Sequence, residues 1–220
     1  MKKIIIALIA LFPLIATAQN VWEKPVDQSQ QQTKKKKALI EKDAANEDPK
    51  YLVGAIPMVD GKIVFTLDYD VPGKNAQQIY DIIYNVLNDM TKQEGQFKES
   101  QVALVNKQDH IIAARYKDWL VFQNTFLSLD RTVFNYTIIA TCTDGHANVT
   151  LSRISYQYEQ DRPDSQGVET VAEEWITDES ALNKKKTKLA RYTGKFRRKT
   201  IDRKDNIFET IIAALNKQNE

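Results

Sequence analysis

Five apolar-rich segments follow one another between residues 101 and 158, and only a few polar residues separate each segment from the next. In the fourth segment, Phe134, Tyr136 and Ile138 are spaced two apart, which places them on one face of an extended strand. Asp144-Gly145 is a hairpin signal, and connectors this short join antiparallel neighbours. The sequence therefore predicts consecutive antiparallel strands near residues 102–105, 111–116, 119–126, 132–142 and 147–158.

The last of these strands changes its alternation in the middle. Its apolar residues occupy odd positions up to Leu151 and even positions from Ile154 onward. A change of phase by one residue predicts a β-bulge near Arg153, and a bulge bends the sheet. The resulting concave face is a surface on which a ligand or a partner could bind.

A strand and a helix precede this run. Residues 62–71 alternate between apolar and polar side chains, which predicts a strand, and Pro72-Gly73 ends it. Asn75, with Gln78 three residues later, predicts the N-cap of an amphipathic helix that continues to Met90.

The C-terminal part predicts one more strand over residues 170–176, then a charged connection, and finally an amphipathic helix that begins near Asp202. The order is strand, helix, a run of antiparallel strands, and helix. This order predicts an α+β fold in which a curved antiparallel sheet has two helices packed on it.

The N terminus has the features of an export signal. Lys2 and Lys3 precede an apolar run over residues 4–15, and Ala16-Thr17-Ala18 follows as an A-x-A cleavage site. The run is shorter than the roughly 18 apolar residues of a membrane-spanning helix, which is the rival interpretation. We therefore expect a cleaved signal peptide over residues 1–18, a periplasmic or extracellular protein, and no transmembrane segment after cleavage.

The mature chain divides into two predicted parts. Residues 19–50 are rich in Gln, Lys and Asp and include four consecutive lysines at 34–37, so they predict a flexible polar tether. Residues 51–220 predict a single α+β domain. Without the two lysines of the signal, the mature chain has 29 basic and 29 acidic residues. This balance argues against nucleic acid as a partner, although a local patch can still act over about 10 Å.

No catalytic, metal or cofactor motif is recognisable in the sequence. His110 and His146 each lie beside a predicted turn, without neighbours at the spacing of a zinc site. Cys142, the only cysteine, continues the apolar row of a strand, which predicts a core residue rather than a nucleophile. Asp68 and Asp70 project from the same face of a strand, as an acid/base pair or as a solvated surface. We expect no metal, no cofactor and no enzymatic activity.

Two adjacent blocks of opposite charge are the most unusual feature of the chain. Residues 159–179 contain eight acids and one base, whereas residues 183–204 contain eleven bases and one acid. One interpretation is that the blocks fold against each other and their charges compensate. The other is that part of the basic block binds a phosphate- or carboxylate-bearing ligand. The predicted ligand-binding residues are Lys195, Phe196, Arg197, Arg198 and Lys199.

Several segments resemble one family of secreted bacterial proteins. The resemblance covers most of residues 51–216 and is to the domain of unknown function 4468 family, which has a TATA-binding-protein-like fold. It implies the strand and helix order given above, and it implies neither an activity nor catalytic residues. The segments are Val59-Asp60-Gly61-Lys62-Ile63-Val64-Phe65, Val71-Pro72-Gly73-Lys74, Ile79-Tyr80, Glu174-Trp175-Ile176-Thr177-Asp178, Ala181-Leu182-Asn183-Lys184-Lys185 and Gly194-Lys195-Phe196-Arg197-Arg198-Lys199-Thr200-Ile201-Asp202.

These observations predict a non-catalytic exported domain of the cell envelope. Its expected partner is an anionic envelope polymer, a lipid head group or an envelope protein. One alternative is a hydrolase that uses Asp68 and Asp70. A further alternative is a carrier of a hydrophobic ligand, held in a cavity between the sheet and the C-terminal helix.

Overall fold

The computed structural model describes residues 48–126, 128–160 and 165–217. The predicted signal peptide and residues 19–47 of the predicted tether, including the lysines at 34–37, lie outside the described residues. The last three residues of that predicted tether are described, and Lys50 Nζ lies 2.9 Å from Asp202 Oδ1. After a short 3-10 helix (Pro49–Tyr51), the elements in chain order are β1 (Met58–Val59), β2 (Lys62–Asp70), α1 (Ala76–Met90), β3 (Gln101–Asn106), β4 (Ile111–Thr125), β5 (Ser128–Thr143), β6 (His146–Tyr158), β7 (Val168–Val171), α2 (Ala172–Trp175), α3 (Asp178–Ala181) and α4 (Gly194–Asn216).

The predicted α+β fold is confirmed. Seven antiparallel strands form one curved sheet in the order β1-β2-β6-β5-β4-β3, and β7 also pairs with β6. The neighbours β4 and β5 form a long hairpin whose last pair is Thr125 with Ser128. The two long helices, α1 and α4, both contact the sheet and each other.

Helix α1 starts where the sequence predicted. The Asn75 side chain accepts from the backbone N–H of Gln78, and the Gln78 side chain accepts from the backbone N–H of Asn75. This reciprocal capping box satisfies two of the amide groups that the first turn leaves without partners inside the helix.

The predicted bulge in β6 is confirmed. Arg153 has a positive φ of 54°, and the register of β6 against β5 shifts opposite Tyr136. The first part of β6 pairs with β2 up to Ser152, and its last four residues pair with β7 from Ser155 onward. The bulge therefore lies where two different strands meet the same edge of β6.

One strand replaces the two that were predicted at 111–116 and 119–126. The charged pair Lys117-Asp118 was interpreted as a connector between two strands, but β4 continues through it. Asp118 is only 1% exposed, and its carboxylate accepts hydrogen bonds from Gln96 and Arg203. A buried carboxylate with such partners is compatible with the middle of a strand.

Two predictions at the C-terminal end were wrong. The strand expected over residues 170–176 ends at Val171, because Ala172 and Ile176 are the buried pair of a helical turn instead. The final helix begins at Gly194, eight residues before Asp202. Its first turns were interpreted as a charged connection because the buried side chain of Arg197 occupies a core position that is usually apolar.

The helices and the apolar rows of the strands enclose one core. Cys142 is 2% exposed and belongs to that core, as predicted. Burial raises the pKa of its thiol to about 12, which keeps it protonated and unreactive. Within the described ranges, no helix has both the length and the apolar character to cross a membrane.

Candidate functional site

Residues 191–193 lead into α4, and residues 194–199 form its first turns. The basic side chains among them therefore point in different directions. Successive residues of an α-helix are about 100° apart around its axis. The five residues predicted to bind a ligand therefore reach different environments, and each must be considered separately.

Arg197 is fully buried and donates hydrogen bonds to four described protein groups. Its Nε donates to the backbone oxygen of Tyr51 at 2.6 Å, and one terminal nitrogen donates to that of Ile176 at 2.8 Å. The other terminal nitrogen donates to the backbone oxygen of Leu52 at 2.5 Å and to Asp178 Oδ1 at 2.7 Å. Arg197 thus fastens the N-terminal 3-10 helix and the segment around α3 to α4, and it is removed from the predicted ligand-binding residues.

Phe196 is fully buried as well, in a cluster of aromatic rings. Its ring centroid lies 4.5 Å from that of Phe122, 4.6 Å from Trp175 and 5.2 Å from Tyr156. These rings fill the space between α4 and the sheet. Phe196 is therefore a packing residue, and it too is removed from the predicted set.

Lys195 lies at the edge of this aromatic cluster. Its Nζ donates to Asp130 Oδ2 at 2.7 Å and to the Tyr158 hydroxyl at 2.8 Å. The same nitrogen lies 4.4 Å from the ring centroid of Tyr158 and 4.7 Å from that of Phe122. Burial raises the pKa of Tyr158, so its hydroxyl stays protonated and donates to Asp130 Oδ1. These contacts hold Lys195 in one position.

An open cavity of about 480 Å³ lies next to Lys195, at the start of α4. Four cationic side chains line it, those of Arg191, Lys195, Arg198 and Lys199, and no acidic residue is among its described lining residues. The amino end of a helix adds a partial positive charge, and α4 is 23 residues long. We call this cavity the basic pocket; its other lining residues are Phe122, Leu189, Ala190 and Gly194.

The structure thus brings three of the five predicted residues together in the basic pocket and adds one that the prediction missed. Arg191 precedes the helix and was not selected, although it belongs to the same basic block. Arg198 is exposed, and its guanidinium lies 5.3 Å from the ring centroid of Tyr51. No helical spacing could have identified Arg191, because it lies in the turn before the helix; only its place in the basic block pointed to it.

Two ion pairs between described residues connect the acidic block with the basic one. Asp178 pairs with Arg197, and Glu179 pairs with Lys186 at 3.0 Å. Other acids of the block bind neutral groups: Glu173 accepts from the backbone N–H of Ile63. In these two pairs the compensation is local, between the turn at α3 and the residues Lys186 and Arg197.

A second constellation forms where β2 pairs with β6. His146 Nδ1 lies 2.9 Å from Asp70 Oδ1, and Nε2 lies 2.5 Å from Asp68 Oδ1. The hydrogen bond to Asp70, reinforced by Asp68, holds the pKa of His146 above its ordinary value. Sequence reasoning missed this contact, because no pattern along the chain showed that β2 and β6 are neighbours.

The carboxylates of this constellation are exposed: 66% of the Asp68 side chain and 91% of the Asp70 side chain are accessible to solvent. They lie on an open strand face and bind the same imidazole. Within residues 48–126, 128–160 and 165–217, no group of three or more His, Cys, Asp or Glu side chains is arranged to hold a metal ion.

A smaller basic cluster lies on the sheet face opposite the helices. Arg115, Lys117 and Arg153 line an open cavity of about 280 Å³, and Lys117 pairs with Glu99 at 3.1 Å. Arg115 and Arg153 come from β4 and β6, which β5 separates. The positive φ at the bulge turns Arg153 outward, which alternation alone could not predict.

Comparison with known proteins identifies relatives of this fold. No curated protein matches the sequence. A TBP-like protein from Parabacteroides distasonis ATCC 8503, where TBP stands for TATA-binding protein, has a crystal structure with a TM-score of 0.61 and 22% identity. The match covers 74% of this chain and 99% of that one, and it shows that the fold is TBP-like.

Two further matches concern the family. The model of a domain of unknown function (DUF4468) with TBP-like fold matches residues 65–157. The crystal structure of a DUF4468 family protein from Bacteroides ovatus ATCC 8483 has a TM-score of 0.71 and 39% identity, and the match covers 79% of this chain and 97% of that one. The predicted resemblance is confirmed, and this chain belongs to the DUF4468 family.

Proposed function

We propose that this protein is a non-catalytic, exported binding domain of the cell envelope, and that its basic pocket holds a phosphate or carboxylate group of an envelope polymer or lipid. The observation that carries the proposal is the convergence of four cations on one open cavity of about 480 Å³. Guanidinium and ammonium groups gathered around one cavity create a positive potential that attracts phosphate and carboxylate groups.

The composition of the pocket suits a phosphate or a carboxylate. Arg191 and Arg198 carry planar guanidinium groups, which match the oxygens of either anion with two parallel hydrogen bonds. Lys195 is already fixed by Asp130 and the surrounding rings, so little side-chain entropy remains to be lost when an anion binds. Export follows from the predicted signal peptide and remains part of the proposal.

The two alternative functions have less support. A hydrolase would use Asp68 and Asp70, but both carboxylates are exposed and held by His146. A carrier would need an apolar cavity between α4 and the sheet, and the rings around Phe196 fill that space.

The test is a titration with inorganic pyrophosphate, followed by the backbone amide resonances of the first turn of α4. We expect the signals of Gly194, Lys195 and Arg198 to shift in a saturable way. Replacing Arg191, Arg198 and Lys199 together by Ala should weaken binding by more than about tenfold, because each charge-assisted hydrogen bond contributes roughly 1.5–3 kcal/mol.

A second triple variant serves as the matched control. Lys184, Lys185 and Lys188 belong to the same basic block and are exposed, but they do not line the pocket. Their replacement by Ala removes the same charge and should leave pyrophosphate binding within about twofold of the original at moderate salt. Equal weakening in both variants would show that only net charge matters, and the proposed site would be wrong.

A further inference from the structure

The hairpin formed by β4 and β5 ends in an exposed apolar tip. Phe126 is completely exposed, Leu129 is 47% exposed and Val121 is 37% exposed. Single exposed apolar residues are common on protein surfaces, so the tip alone indicates nothing. Its position next to the basic pocket is the observation that points to a function.

The tip extends directly from one wall of the basic pocket. Phe122 of β4 lines the pocket, and Asp130 of β5 binds Lys195, which also lines it. Phe126 is four residues from each of them, so its Cα lies within about 15 Å of both, at 3.8 Å per residue. An apolar tip and a cationic pocket therefore occupy the same end of the molecule.

We propose that this end of the protein docks on a bilayer surface that carries anionic lipid head groups. Phe126 and Leu129 enter the boundary between head groups and acyl chains, and Arg191, Arg198 and Lys199 bind the head-group phosphates. Stable attachment to a membrane surface generally needs two such signals together, one apolar and one electrostatic. This inference rests on the proposed function, since it uses the basic pocket, and it names the lipid surface as the ligand.

The shape of the tip favours a bilayer over a protein partner. A side chain that is fully exposed at the end of a hairpin has no groove around it, so a protein partner would have to supply every wall of the pocket that receives it. A fluid lipid interface closes around an inserted ring without a preformed cavity. Aromatic side chains are enriched at such interfaces for this reason.

The experiment is co-sedimentation of the full chain with large vesicles, either of phosphatidylcholine alone or with part of it replaced by phosphatidylglycerol. We expect binding to the anionic vesicles and little binding to the neutral ones. Phe126→Ser should weaken binding to the anionic vesicles by about tenfold or more, which is the effect of burying one aromatic ring. The triple pocket variant should lose binding.

Leu104→Ser is the matched control, because Leu104 is 64% exposed on the edge strand β3, away from the tip. It should bind vesicles like the original protein, and both Ser variants should keep the original thermal midpoint. Phe126→Trp should retain binding, and its emission should be quenched by brominated acyl chains.

Each contrary outcome identifies what failed. If Phe126→Ser binds anionic vesicles as well as the original protein does, or if neutral and anionic vesicles bind equally, docking of the tip is wrong, whatever pyrophosphate does. If pyrophosphate binding fails, the proposed function fails at the pocket itself. If Phe126→Ser instead abolishes a concentration-dependent dimer, the tip is a contact between two copies and the bilayer proposal is overturned.

Discussion

Arg197 and Arg198 are neighbours in the chain and have opposite environments. Arg197 is fully buried and uses its guanidinium to bind three backbone oxygens and one carboxylate. Arg198 is exposed and lines the basic pocket. A rotation of about 100° around the axis of α4 separates the two side chains. The comparison teaches that a run of positive charge contains both structural and functional cations, and that the helical phase decides which is which.

The largest effect is expected at the buried member of this pair. Arg197→Ala removes the donor of four hydrogen bonds. It also leaves the Asp178 carboxylate, whose side chain is only 19% exposed, without its cationic partner Arg197. Breaking a buried pair on one side typically costs about 3–5 kcal/mol. Thermal or urea unfolding should show this loss in the free energy of unfolding.

Arg197→Lys is the informative companion variant. It keeps the charge but supplies one nitrogen where the guanidinium supplies three, so it should recover only a part of the stability. If Arg197→Ala loses less than about 1 kcal/mol, the range of an exposed pair, the distinction between the two arginines fails.

The next largest loss of stability is expected at Gly194, the first residue of α4, which lies against Leu189. A Cβ built on Gly194 lies 2.7 Å from Leu189 Cβ, closer than two such atoms approach. Gly194→Ala should therefore displace the loop that carries one wall of the basic pocket and cost about 1–3 kcal/mol, as overpacking does. Circular dichroism during thermal unfolding measures the loss.

A second substitution tests the cause. Leu189→Gly removes the Cβ that the new methyl group meets, so the double variant should be less impaired than the sum of the two single changes. Strict additivity would show that the two positions do not interact and that another cause applies.

The sequence predicted the covered face of the sheet well and the basic block poorly, and the reason is physical. Alternation in β5 and β6, including the phase change at Arg153, depends only on which side chains are apolar. The role of Arg197 depends on the carbonyl groups of Tyr51 and Leu52, which are nearly 150 residues away in the chain. No local pattern contains that information, so the helix was predicted to start too late.

The same limit applies to the candidate sites. Lys195, Arg198 and Lys199 were selected because they are clustered in the sequence, and the structure brings them together. His146 and its two carboxylates come together only through the pairing of β2 with β6. Sites built within one helical turn are thus accessible to sequence reasoning, whereas sites built across strands require the topology.

A smaller effect is expected at the exposed member of the pair. Arg198→Ala should change the free energy of unfolding by less than about 1 kcal/mol, because Arg198 is exposed and interactions of exposed charges contribute little. It should nevertheless weaken pyrophosphate binding, since the guanidinium lines the pocket. A stability loss as large as that of Arg197→Ala would contradict the assignment of the two roles.

The smallest effect is expected at His146, whose side chain is 37% exposed. It tests whether two carboxylates can fix a cationic side chain that is not buried. Both ring nitrogens face carboxylates, and only the protonated imidazole can donate to both at once. We expect an NMR titration to give His146 a pKa above the ordinary value of about 6.5, and Asp70→Asn to lower it, because a neutral amide no longer favours the charged imidazole. His146→Gln assigns the resonance.

The raised pKa of His146 also makes stability depend on pH. A folded pKa above the unfolded one means that the stabilisation is complete below about pH 6.5 and disappears as the pH rises through the folded value. A pKa at or below the ordinary value would show that the two carboxylates do not hold the ring in solution.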